Sequence, residues 1–146
     1  MRWALTQSTS QFHTWNLDGK ETKELKYNKQ AHSFRIAANE KRLFFIEKVG
    51  LLQSKFLVRT EYSVVNAEIF PSRNGHSGLI MFDGKKYTFE RNEGSFHLSN
   101  KRENFSLTSE ISEKEIFDAF ELYSLLIATL RLSRKISTAK TEALFA

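Results

Sequence analysis

The sequence predicts a mainly β protein: a closed antiparallel barrel of about 10–12 strands around, or packed on, one hydrophobic C-terminal α-helix. Three observations carry that expectation. Apolar residues alternate with polar ones from Arg2 to about Thr108, in short runs at roughly 8–12-residue spacing. Asp18-Gly19 and Asp83-Gly84 stand between such runs, and Asp-Gly is the strongest short hairpin signal. From Leu122 to Leu132 the alternation gives way to an almost unbroken apolar stretch, "LYSLLIATLRL".

The elements follow in order. "RWALTQS" and "FHTWN" open the series. "ETKELKY" sets Leu25 and Tyr27 two apart, and "HSFRIA" sets Phe34 and Ile36 on one face. "RLFFIEKV" is apolar on both faces and closes at Gly50; "SKFLVRTE" aligns Phe56 with Val58, and "VVNAEIF" runs to Pro71. "GLIMF", "KYTFER", "SFHLS" and "NFSLT" complete ten or eleven strands, with Asn74-Gly75 and Glu93-Gly94 as further turns. The enrichment in Phe, 13 residues, suits pleated, half-buried surfaces.

At Ile111 the pattern changes. "SEKE", Ser112 to Glu115, has the form of a capping box, and Glu113, Glu115 and Asp118 suit the positive end of a helix dipole. Arg131, Arg134 and Lys135 suit the other end. A helix is expected over about 113–134, roughly 33 Å long, with a short tail at 135–146. Ile116, Phe117 and Phe120 give its first turns one apolar stripe. Leu122, Leu125, Leu126, Ile127 and Leu130 then make it apolar on every side, which calls for burial all round. Eleven residues are too few to span a bilayer of about 30 Å. Strands wrapped around the helix meet that demand, because a barrel of more than about eight strands has room inside. A seven-strand pleckstrin-homology-like barrel with a capping helix is the competing fold.

The whole chain, residues 1–146, reads as one domain. The N-terminus lacks the apolar core of a secretory signal, and cysteine is absent, so a soluble cytoplasmic protein is expected. The same absence excludes disulfides, thiolate zinc sites and a cysteine nucleophile.

This organisation resembles the tubby C-terminal-like superfamily, in particular its LURP-one-related and phospholipid-scramblase branch. The resemblance lies in the strand succession, in "SGLIMFDGKKYTFERNEGSFHLSNKRENFSL" with its hairpin through Asn100-Lys101, and in the closing "FELYSLLIATLRLSR". It implies an antiparallel barrel of about twelve strands around a hydrophobic C-terminal helix. For function it implies phosphoinositide binding through basic residues on the barrel wall, or work at membranes. No lipid-binding motif carries over residue by residue.

The search for chemistry is mostly negative. "GHSG", Gly75 to Gly78, resembles a hydrolase elbow, but Leu79 stands where the second glycine of G-x-S-x-G belongs, and strands rather than a helix follow Ser77. His13, His32, His76 and His97 are scattered without ligand spacing and read as surface or packed residues. Asp18 and Asp83 belong to turns and Asp118 to the helix start. No phosphate-binding glycine loop appears. No catalytic residue, metal or cofactor is expected, and the chain reads as non-enzymatic.

Charge is the one functional hint. The chain carries a net +5, and residues 1–60 hold 11 Lys/Arg against 5 Asp/Glu, a local +6. Lys41-Arg42 and Lys85-Lys86 are the densest basic pairs at strand ends. They are expected to contact an anionic membrane surface or an acidic protein. Nucleic acid is not expected as a partner, since no ribonucleoprotein consensus is present. The expected function is therefore a binding module. The alternative is a lipocalin-like carrier with an apolar ligand inside the barrel and the helix outside. The oligomeric state is not specified by the sequence.

Overall fold

The computed structural model of the chain describes residues 1–37, 41–51, 54–113 and 117–145, with side chains as far as Ser133. Eleven strands form one closed meander. They are β1 (Arg2–Ser8), β2 (Phe12–Leu17), β3 (Lys20–Asn28), β4 (Ser33–Ala37), β5 (Lys41–Val49), β6 (Lys55–Thr60), β7 (Val65–Pro71), β8 (Ser77–Phe82), β9 (Lys85–Asn92), β10 (Ser95–Asn100) and β11 (Phe105–Ile111). The helix α1 spans Ala119–Phe145.

Each strand pairs antiparallel with its sequence neighbour. An odd number of alternating strands brings the first and last in the same direction, so the closing pair β1–β11 is parallel. This seam is the one departure from the expected antiparallel barrel. It is short, with Arg2 opposite Glu110 and Trp3 opposite Ile111. The Ser112 amide donates to the Trp3 carbonyl at 3.0 Å, and the Leu5 amide donates to the Ser112 hydroxyl at 3.0 Å. Closure leaves no long free edge on which another sheet would pair.

The turns follow the sequence. Asp18 and Gly19 have φ of 53° and 70°, and Asp83 and Gly84 have 54° and 72°, the two left-handed residues that a type I′ hairpin needs. The alternation also holds: Leu25, Tyr27, Phe34, Ile36, Phe56 and Val58 all point into the core. In β5, Phe44 and Ile46 are buried while Phe45 is on the outer wall.

The helix passes through the barrel. All nine residues from Leu122 to Leu130 are buried, including Ser124 and Thr129. Tyr123 meets Phe56 of β6 at 4.8 Å and Phe89 of β9 at 6.0 Å between ring centroids; on the other side Trp3 of β1 donates to Thr129 at 2.9 Å. Contacts from well-separated strands place the helix inside. The seven-strand capped barrel is thereby excluded. β11 ends at what is here termed the upper end, where α1 enters; α1 leaves at the lower end, where β5 and β9 begin.

The helix starts later than the sequence suggests. Ser112 is committed to the seam rather than to a cap, and Glu115 lies outside the described residues. Asp118 is the N-cap instead: its Oδ1 accepts from the Glu121 amide at 2.9 Å, which satisfies one of the orphan donors of the first turn. α1 also runs past the expected end at Arg134 into the expected tail.

Candidate functional site

Three features on this frame concern function: a buried polar belt on the helix, a basic groove on the wall, and a cleft at the upper end.

The belt is built where α1 enters. Glu121, buried, faces His13 and Trp15 on the inner face of β2. His13 Nδ1 lies 2.8 and 2.9 Å from the two carboxylate oxygens, and Trp15 Nε1 donates to Oε2 at 2.8 Å. Burial raises the Glu121 pKa above the ordinary carboxylate range, and the hydrogen bonds from His13 and Trp15 oppose that rise. One step further round, the Tyr27 hydroxyl of β3 donates to Asp118 at 3.1 Å and sits 3.2 Å from His32 Nδ1. Burial, and then the adjacent Asp118 carboxylate, push this phenol well above its usual value. With Trp3–Thr129, these tethers reach the helix from β1, β2 and β3. The contacts from β5, β6 and β9 are aromatic, including the Arg131 guanidinium 5.2 Å from the Phe44 ring centre. Polar contacts on one side fix the rotation and depth of a helix that apolar packing alone would hold loosely. His13 Nε2 is buried without a partner in this arrangement.

The basic groove lies on the outer wall at the lower end. Its register explains it. Met81 pairs with Lys86, Leu79 with Thr88 and Thr88 with Ser99, so these side chains share the outer face of β8, β9 and β10. Ile80, Phe82, Tyr87, Phe89 and Leu98 take the inner face and are buried. Beside them the connection from β10 to β11 forms one turn of 3₁₀ helix, η1 (Lys101–Glu103), capped by Asn100 Oδ1, which accepts from the Arg102 amide at 2.9 Å. The result is a groove of about 750 Å³ with Leu79 and Met81 as its floor and Lys85, Lys86, Lys101 and Arg102 around it. Glu103 is the one carboxylate among its described lining residues, and it is taken by Lys85 at 2.7 Å, a bond that raises the Lys85 pKa. Among the described residues Lys86, Lys101 and Arg102 make no ion pair.

The four basic residues singled out from the sequence are thus divided. Lys85 and Lys86 line the groove. Lys41 and Arg42 begin β5 at the same lower end, but β6, β7 and β8 separate them from β9. Arg42 is held by Glu61 at 3.2 Å. The apolar residues Leu122, Leu125, Leu126, Ile127 and Leu130 are all in the core. The reading missed Lys101 and Arg102, which the hairpin through Asn100-Lys101 carries to the mouth of the neighbouring Asp-Gly turn.

The "GHSG" segment is a turn. Gly75 has φ of 73°, and Ser77 opens β8, with its hydroxyl donating to Ser72 Oγ at 3.0 Å. The third feature, a cleft of about 870 Å³, lies beside this turn at the upper end, between the end of β5 and the β7–β8 connection. Among the described residues no group of three or more His, Asp or Glu side chains is placed to hold a metal ion. No helix among them is long and apolar enough to cross a membrane. The chain matches no family model, no curated protein and no solved structure.

Proposed function

We propose that this chain is a non-enzymatic binding module that docks the wall of its barrel on anionic lipid headgroups through the groove at Lys85, Lys86, Lys101 and Arg102. The observation that carries the reading is the groove's composition: four cations converge on an apolar floor, and only one is neutralised within it. Each basic residue near an anionic surface contributes about 1 kcal/mol, so the groove supports weak, reversible and salt-sensitive attachment. Leu79 and Met81 add an apolar contact between the charges, the combination that lets a headgroup and the start of its chains be held together. The cytoplasmic leaflet is the anionic one, so the reading puts the protein in the cytoplasm. The tubby-like resemblance implies the same kind of ligand at the same kind of place, basic residues on the barrel wall, and a closed barrel threaded by a C-terminal helix suits it.

The carrier reading is the weaker of the two, because α1 occupies the space that an enclosed ligand would need. The test is co-sedimentation with vesicles of neutral phosphatidylcholine, with and without phosphatidylserine or phosphoinositide, at low and moderate salt. The expected result is binding to the anionic vesicles alone, reduced by salt and lost in Lys86→Glu/Lys101→Glu/Arg102→Glu. Equal binding to neutral and anionic vesicles, or none to either, refutes the proposal. Binding that survives the triple substitution refutes the groove as its seat.

A further inference from the structure

We propose a second binding site, separate from the wall groove: the upper cleft takes a small organic anion with a flat apolar body, of the aryl carboxylate, sulfonate or phosphate class. Its size, about 870 Å³, is in the range of small-molecule sites. Its charge is one-sided. Among the described residues, Lys48 and Arg73 are the only charged ones lining it, and neither makes an ion pair. A pair of unneutralised cations facing one concavity, with no carboxylate among its described lining residues, selects an anion.

The walls select the rest of the ligand. Phe56 and Tyr123 meet edge-to-face at 4.8 Å between centroids and form an aromatic floor, with Phe70 and Pro71 at the side. Such a surface favours a flat ring. The decisive residue is Tyr123. It sits on the central helix, 1% exposed, yet it reaches the cleft lining. Its hydroxyl makes no hydrogen bond to the described residues. The hydroxyl is not among the solvent-excluded polar atoms that lack a partner, so it opens onto the cleft, where it is a donor available to an acceptor from outside. Burial alone pushes this phenol up to about 12, so it stays protonated and remains a donor at every physiological pH.

The rim is preformed. Asn74 Oδ1 accepts from Ser72 Oγ at 2.7 Å and from the His76 amide at 2.9 Å, and the Gly75 amide donates to the Ser72 carbonyl at 3.0 Å. These bonds hold the β7–β8 connection in one shape and leave the Asn74 amide NH₂ as a donor beside Arg73. Recognition then needs little ordering of the protein.

The test uses 1-anilinonaphthalene-8-sulfonate, read by its fluorescence, and naphthalene-2-carboxylate as competitor, with 2-methoxynaphthalene as the neutral control. The expected result is saturable one-to-one binding that naphthalene-2-carboxylate displaces and 2-methoxynaphthalene does not. Lys48→Glu/Arg73→Glu, both at the surface, should weaken it by about tenfold or more, and Tyr123→Phe by about threefold to tenfold. The groove substitutions Lys86→Glu/Lys101→Glu/Arg102→Glu should leave it unchanged, which keeps this site distinguishable from the lipid-docking surface. Absence of saturable binding, displacement by the neutral analogue, or indifference to Lys48→Glu/Arg73→Glu would overturn the proposal.

Discussion

Leu126→Ala tests how the helix is held. Leu126 is fully buried, and so are Leu122 and Leu130, one turn away on either side, and Leu125 and Ile127 beside it. Removing its side chain forfeits the transfer free energy of three heavy atoms and opens a cavity. The cavity has nowhere to collapse: the wall around it is a hydrogen-bonded cylinder, closed on itself, that cannot move inward on one side. The loss therefore belongs at the upper end of the range for such substitutions, about 3–5 kcal/mol. A domain of this size has about 5–15 kcal/mol in total, so the variant folds but is marginal. Urea unfolding followed by tryptophan fluorescence is a suitable assay, because Trp3 and Trp15 both hydrogen-bond to the helix. With a slope of about 2 kcal/mol per molar, the midpoint should fall by about 2 M at unchanged slope, and the melting temperature by about 10 °C. Phe45→Ala, on the outer wall and 41% exposed, is the control and should cost about 1 kcal/mol or less. A loss at Leu126 no larger than at Phe45 would refute a helix enclosed on every side, as would a soluble, cooperatively melting Leu126→Asp protein.

Glu121→Ala should cost about 3 kcal/mol, since it strands His13 Nδ1 and Trp15 Nε1 in the core, whereas Glu121→Gln keeps an acceptor and should cost about 1 kcal/mol; equal losses in thermal unfolding would contradict the belt's role. The Tyr123 phenol is raised in the folded state, so its contribution to stability is complete below the ordinary tyrosine value near 10 and is lost as pH climbs through about 12. That amounts to about 3 kcal/mol across two pH units, and Tyr123→Phe should unfold at a higher pH than wild type; an unshifted alkaline transition would count against it. Gly78→Ala should destabilise strongly, because a Cβ there would overlap the Phe70 carbonyl oxygen and approach Phe89 Cε1 to 2.8 Å; wild-type-like melting would show that the wall yields at that point.

What was legible in the sequence is what local rules decide. The inner face of strands such as β3, β4 and β6 follows from period-two alternation, and the positive φ values at Asp18-Gly19 and Asp83-Gly84 follow from the dipeptides themselves. Leu122, Leu125, Leu126, Ile127 and Leu130 leave the helix no polar face, which favours the interior but leaves open whether the strands surround it or it packs on them; only the barrel's closure around α1 decides that. Long-range pairing decided the rest. Ser112 has the right neighbours for a cap, but the parallel seam to β1 claims its amide and hydroxyl, so the helix starts at Asp118. His13 and Glu121 are 108 residues apart, with no spacing to connect them, and only the passage of α1 beside β2 brings them within 2.8 Å. Lys41-Arg42 and Lys85-Lys86 look equivalent in the sequence. Strand order separates them, and it gives the second pair Lys101 and Arg102 as neighbours.

The most direct test of the docking reading is an amide NMR titration of wild-type protein with small bicelles of phosphatidylcholine containing phosphoinositide. Attachment through the wall groove predicts line broadening concentrated from Leu79 to Met81, from Lys85 to Thr88 and from Ser99 to Glu103, with β3 to β5 nearly unaffected and the broadening reversed by moderate salt. Broadening centred on Lys41 and Arg42, or spread evenly around the barrel, would contradict the groove as the surface that meets the membrane.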